Sequence, residues 1–175
     1  MRQPKDIAAA LAAFDGKHTA SLKAVLADDL SPEAEAALIA AIPGSDEVAA
    51  TWLVKALVEK ARLGQHHLAT LFDRLPDITK PDAALHLLQC AQYAPDAARL
   101  LRPHLFLFYG HDKILLRVWA FDAYCRGADA SEDLGDRIRQ GLTNRSAAMR
   151  ARSKALAAEF GIDLENGARP PHLDR

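Results

Sequence analysis

Residues 111–127 read HDKILLRVWAFDAYCRG, a helical segment bracketed by Gly110 and Gly127. At 100° per residue, Ile114, Val118, Phe121 and Cys125 form one apolar stripe. Leu115, Leu116, Trp119 and Ala123 form a second, well round the helix. A helix apolar on two sides has to be covered on two sides. The chain has 175 residues, 50% hydrophobic and 26% charged, and no apolar run of membrane-spanning length. The cover must therefore come from other amphipathic helices, and the chain must build a stack of them.

Punctuation along the sequence supplies those helices. Ser31-Pro32-Glu33 places a cap before a proline at the first helical position, with an acid behind it. Pro43-Gly44, Gly64, Pro76 and Gly161 read as stops. Ser45-Asp46-Glu47, Lys80-Pro81-Asp82, Ala94-Pro95-Asp96, Ser131-Glu132-Asp133 and Asn144-Arg145-Ser146 read as starts. The spacing predicts helices over 4–14, 19–29, 32–42, 46–63, 66–75, 81–93, 96–108, 112–126, 132–142 and 146–160. Alanine, the best helix former, is abundant and aromatics are only 6%, so composition agrees with an all-α fold. Linkers are a few residues long, which makes successive helices antiparallel neighbours.

Every second helix starts near 46, 81, 112 or 146, a period of about 31–35 residues that belongs to two-helix repeats. The helix over 112–126 has the two-sided profile of an inner repeat. The helix over 146–160, with the single stripe Met149, Leu156 and Phe160, has that of a terminal one. The expectation is an all-α, short, right-handed α-solenoid of about five antiparallel helical hairpins over residues 4–161, followed by a flexible tail over 162–175.

Through Asp112…Leu116-Arg117-Val118-Trp119-Ala120 and Asn144…Met149-Arg150-Ala151-Arg152…Ala155-Leu156, the chain resembles HEAT and armadillo-like repeat proteins. The resemblance implies a ladder between neighbouring repeats, with Asp112, Arg117, Asn144 and Arg150 in the structural roles. The segments Glu47 to Trp52 and Asp82 to Leu88 lack the arginine, which leaves the ladder incomplete and the first repeats unaligned. It also implies a non-enzymatic interaction module holding a protein or peptide partner in a concave groove. Some proteins of that kind are DNA-repair glycosylases, and a glycosylase-like nucleic-acid-binding domain is the alternative. Trp52, Trp119 and Asp122 would then be its groove residues.

Net charge is −1, but its distribution is uneven. From Ala24 to Val54 there is no cation, while Asp28, Asp29, Glu33, Glu35, Asp46 and Glu47 are acidic. From Arg137 to Ala158 there is no acid, while Arg137, Arg139, Arg145, Arg150, Arg152 and Lys154 are basic. Arg145, Arg150, Arg152 and Lys154 are the candidate phosphate contacts. An acidic head and a basic tail are complementary, but exposed pairs are weak and screened, so a monomer is expected at physiological salt. The N-terminus lacks a signal-peptide pattern, and Cys90 and Cys125 are two isolated thiols. Both features predict a cytoplasmic chain with reduced cysteines and no membrane partner.

Neither a phosphate loop nor a paired-cysteine metal motif occurs, and neither a catalytic residue nor a cofactor is assigned. His86 and Cys90, four apart, with His66 or His67, have a spacing that zinc uses. Cys90 falls in the core stripe of Ala83 and Leu87, so a buried thiol beside an ordinary histidine is expected and no metal. Near the opening segment, His104, Tyr109, His111, Asp112 and Asp122 gather. Asp122 with Arg126 reads as an i,i+4 pair and Asp112 as a helix cap, which leaves no general base. Trp52 lies nearly opposite the arc Ala50, Leu53, Val54, Leu57, Val58 and Ala61, beside Lys55 and Glu59. Trp52, Lys55 and Glu59 are the candidate protein-binding residues, since partner surfaces favour aromatic anchors.

Overall fold

The computed structural model describes residues 1–129 and 132–164. Among these residues it is all-helical, with ten α-helices and two 3-10 helices; an isolated parallel bridge joins Arg2 to Leu30. No described helix is long and apolar enough to cross a membrane. The chain forms two compact units, Met1–Gly127 and Ala128–Arg175.

In the first unit, α1 (Pro4–Ala12) packs on α2 (Ala20–Val25) and on α3 (Pro32–Ala40). The next elements are α4 (Glu47–Glu59), α5 (Gln65–Asp73) and a 3-10 turn (Leu75–Asp77). They are followed by α6 (Pro81–Cys90), α7 (Pro95–Ala98), a 3-10 helix (Arg99–Phe108) and α8 (Ile114–Arg126). Helix α4 packs on α6 and α6 on α8, while α5 packs on α7 and the 3-10 helix. Alternate elements are thus neighbours around one core that includes Leu22, Leu38, Leu53, Leu57, Phe72, Leu87, Leu101 and Leu116. In the second unit α9 (Leu134–Leu142) packs on α10 (Ala147–Phe160), with Ile138, Leu156 and Ala157 buried.

Side-chain caps set several of the helix starts. The Ser31 hydroxyl accepts from Ala34 N at 3.1 Å, and Pro32 occupies the first helical position. Ser146 accepts from Met149 N in the same way. Ser131 lies outside the described residues; at the start of α9, Asp133 is the cap and accepts from Asp136 N. Residues 165–175 of the expected tail also lie outside them.

Several expectations change. The helix over 19–29 is the six-residue α2, which stops at Val25, and the helix over 81–93 stops at Cys90. The single helix over 96–108 is a four-residue α-helix followed by a ten-residue 3-10 helix. Pro103 sits inside it, and a proline removes the N–H that an α-helix needs while its ring crowds the carbonyl one turn back. Helix α4 ends at Glu59, four residues early. Ala61 takes φ 53°, the left-handed position of a helix end, and the following Arg62 N donates back to Leu57 O at 2.8 Å. Helix α8 starts at Ile114, so Asp112 does not cap it. Lys113 is the cap residue, and its N–H donates to His111 Nδ1 at 3.0 Å.

Arginines then bind the helix C-termini, where unpaired carbonyls carry partial negative charge. Arg62 donates to Leu26 O (2.8 Å) and Asp28 O beyond α2, and pairs with Asp29. Arg74 donates to Ile42 O (2.9 Å) beyond α3, and Arg102 to Gly127 O (3.4 Å) beyond α8.

Candidate functional site

Trp52 stands on α4, half-buried, with part of its ring packed against the core. Its other side lines an open cleft of about 460 Å³ between α2 and α4. Lys23, Leu26 and Ala27 form the α2 wall. Trp52, Lys55, Ala56, Glu59 and Lys60 form the α4 wall. Lys55 and Glu59 are one turn apart, and their charged groups stand 4.0 Å from each other, at the limit of an ion pair. The three candidates Trp52, Lys55 and Glu59 are therefore brought together. Lys23 and Lys60 complete the cleft. Lys60 follows directly on Glu59 in the sequence, but nothing in the local pattern brings Lys23 to α4.

Behind the cleft a polar seam joins α4 to α6. The Thr51 hydroxyl donates to Glu47 O (2.7 Å), with Val48 O at 3.2 Å, so its single proton is committed to the backbone. Toward His86 Nδ1, 3.1 Å away, it acts as acceptor, which places the imidazole proton on Nδ1. Burial, helped by the nearby Lys55 charge, pushes the His86 pKa down to about 4, while Asp82 and the Val48 carbonyl pull the other way. The imidazole is neutral at pH 7. Cys90 is fully buried, its Sγ donates to His86 O at 3.3 Å, and burial pushes the thiol up to about 12. His67 Nε2 lies 3.1 Å from Glu35, and its ring lies against that of His66 at a tilt of 41°. Among the described residues, no group of three potential ligands converges.

Around α8, Arg126 Nε donates to Asp122 at 2.9 Å, and Asp122 is fully buried, as their spacing predicts. Arg117 Nη1 donates to His111 O at 2.5 Å, six residues back in the turn before its own helix. Arg150 repeats the geometry, donating to Asn144 O and Arg145 O at 2.9 Å each, while Asn144 Oδ1 accepts from Ser146 N. These bonds span only five or six residues of sequence, where the resemblance implies bonds between neighbouring repeats. Arg145, Arg150 and Lys154 are exposed and Arg152 is half-buried. A contact between helices distant in sequence comes from another residue. The buried Glu47 Oε1 accepts from Lys80 N (2.6 Å), Thr79 N (3.1 Å) and the Thr79 hydroxyl (2.7 Å), capping α6 from the start of α4. Asp82, at the start of α6, faces Lys113 Nζ at 3.2 Å before α8.

Elsewhere, Phe106 in the 3-10 helix is 67% exposed, and Leu107, Tyr109 and Leu115 are exposed as well. Comparison of the chain with protein-family models, with curated proteins and with solved structures found no match.

Proposed function

We propose that this chain is a non-enzymatic helical-repeat protein, HEAT-like in plan, that holds a protein or peptide partner on the surface of its second helices. In this reading α1/α2, α3/α4, α5/α6 and 95–108/α8 are four hairpins of a short right-handed α-solenoid, and α9/α10 is a fifth. The order α4, α6, α8 of adjacent helices supports it, as do the contacts from Glu47 to Lys80 and from Asp82 to Lys113. The observation that carries the binding role is the Trp52 cleft. An aromatic ring fixed from behind by the core and open in front is a pre-organised anchor. The protein acts as a monomer in the cytoplasm, a setting that suits two buried free thiols.

Photo-crosslinking tests this reading. A photoreactive residue at Lys23 should give a discrete adduct with a partner in the native cell, and the same residue at Lys5 on α1 should not. No adduct from position 23, or the same adduct from both positions, overturns it.

The exposed run Arg145, Arg150 and Lys154, in a stretch free of acids, favours nucleic acid as a second reading. Counterion release separates the two. Oligonucleotide binding through these residues falls steeply with salt and is lost in Arg145→Glu/Lys154→Glu, whereas binding at Trp52 is not.

A further inference from the structure

We propose that the Trp52 cleft takes an acidic peptide segment. A bulky apolar side chain sits between Trp52 and Leu26, and flanking Asp or Glu side chains meet Lys23 and Lys60. The inference rests on the cleft being the interaction site and adds the chemistry of what fills it.

Charge is the first argument. The ammonium groups of Lys23 and Lys60 are exposed and have neither a hydrogen bond nor an ion pair among the described residues. Lys55 is only loosely held by Glu59, at 4.0 Å. Three lysines and one glutamate line the cleft, so it is positive, yet the sequence from Ala24 to Val54 holds no cation at all. The positive patch is local, since the acids beside it, Asp28 and Asp29, are already paired with Arg2 and Arg62. Charge complementarity therefore orients an occupant in the cleft.

Apolar shape is the second. Leu26 and Trp52 both pack against the core, and Ala56 is nearly buried between the lysine-bearing turns. A cleft of about 460 Å³ accepts a side chain or two with their backbone and is too small for a folded surface.

Extent decides between peptide and nucleic acid. A polyanion carries a charge at every residue and needs a continuous basic track. Here the wall continues from Ala27 into Asp28 and Asp29, whose charges are balanced by Arg2 and Arg62, so the basic track stops there, and Glu59 stands inside the cleft. A short peptide with one or two carboxylates can keep its charges on the lysines, whereas a phosphate backbone cannot.

The test is selection of a displayed random 12-residue peptide library on the full-length protein. The best peptide is then titrated by fluorescence anisotropy against wild type, Trp52→Ala and Lys23→Glu/Lys60→Glu. Circular dichroism checks each fold, and the double variant at exposed positions keeps the test decisive if Trp52→Ala unfolds. Selected peptides should carry Asp or Glu within two positions of Leu, Met, Phe or Trp. Affinity should drop about tenfold in the double variant, and by a smaller factor between 50 and 200 mM salt. Apolar peptides without acids, lost in Trp52→Ala but indifferent to the lysine reversals, overturn the acidic occupant and leave the cleft as an interaction site. Binding indifferent to all three substitutions, or no enrichment, overturns both readings. Tighter binding of a single-stranded oligonucleotide to the same lysines, or self-association lost in the double variant, overturns the proposal in favour of a polyanion or a second copy.

Discussion

The Oε1 atom of Glu47 lies 2.6 Å from the backbone nitrogen of Lys80, 33 residues further along the chain. A carboxylate that opens one helix thereby satisfies the N-terminus of the helix packed beside it, where orphan N–H groups and the positive end of the macrodipole favour an anion. Glu47 is 1% exposed, while Asp82, which faces Lys113 at the corresponding place before α8, is exposed. Burial separates the two energetically. Glu47→Ala should cost about 2–3 kcal/mol in urea unfolding, since it removes charge-assisted bonds to three donors. Asp82→Ala should cost less than about 0.5 kcal/mol. Equal losses would remove the distinction.

Ala61 offers a stabilising substitution. It holds the left-handed position that Gly161 holds at the end of α10, at φ 53° against 65°. In both places the next residue bonds back to the last turn, Arg62 N to Leu57 O and Ile162 N to Ala157 O. An L-residue there is strained by its Cβ, so Ala61→Gly should raise stability by about 0.5–1 kcal/mol in urea unfolding. A loss of stability would contradict this account of the turn.

Helix α8 is covered unevenly, and truncation should show it. Leu116 is 1% exposed and Leu115 is 48% exposed, although both belong to the same sequence stripe. Leu116→Ala should cost about 2–5 kcal/mol and Leu115→Ala less than about 0.5 kcal/mol. Phe121, half-buried, should fall between them.

Acid should weaken the fold through His86. Its pKa is about 4 in the native chain, against 6.5 when unfolded. Between those values the unfolded chain binds the extra proton, so stability rises with pH across the window and is lost as pH falls through it. The loss is at most about 3 kcal/mol. His86→Gln should flatten the dependence of Tm on pH between roughly 4 and 6.5. An unchanged slope would move the acid sensitivity elsewhere.

Zinc should leave the protein unaffected. The Cys90 thiol is buried and pushed up to about 12, His67 faces Glu35, and among the described residues no group of three potential ligands converges. One equivalent of zinc should not shift Tm, and neither cysteine should react with a thiol reagent until the chain unfolds. A zinc-dependent rise in Tm that disappears in His86→Ala would show that α5 and α6 rearrange to hold the metal.

The helices themselves were legible because their punctuation is local. Ser31-Pro32, Ser146 and Gly161 act within three or four residues of where they stand, and the pairing of Asp122 with Arg126 follows from one helical turn. The helix over 96–108 was not legible as it stands, because Pro103 inside it breaks α-helical bonding and a 3-10 helix results. The candidate site was half legible. That Trp52 lies off the main apolar arc, beside Lys55 and Glu59, follows from the 3.6-residue period.

What the sequence by itself determined is the set of helices and the residues each turns away from its own core stripe, since both depend on neighbours along the chain. What only the tertiary structure decided is which helices meet. The reach of Glu47 to Lys80, the burial of Leu116 against the exposure of Leu115, and the arrival of Lys23 opposite Trp52 all depend on contacts between helices distant in sequence. Such contacts are chosen by how whole helix faces fit together, and no short stretch of residues encodes that choice alone.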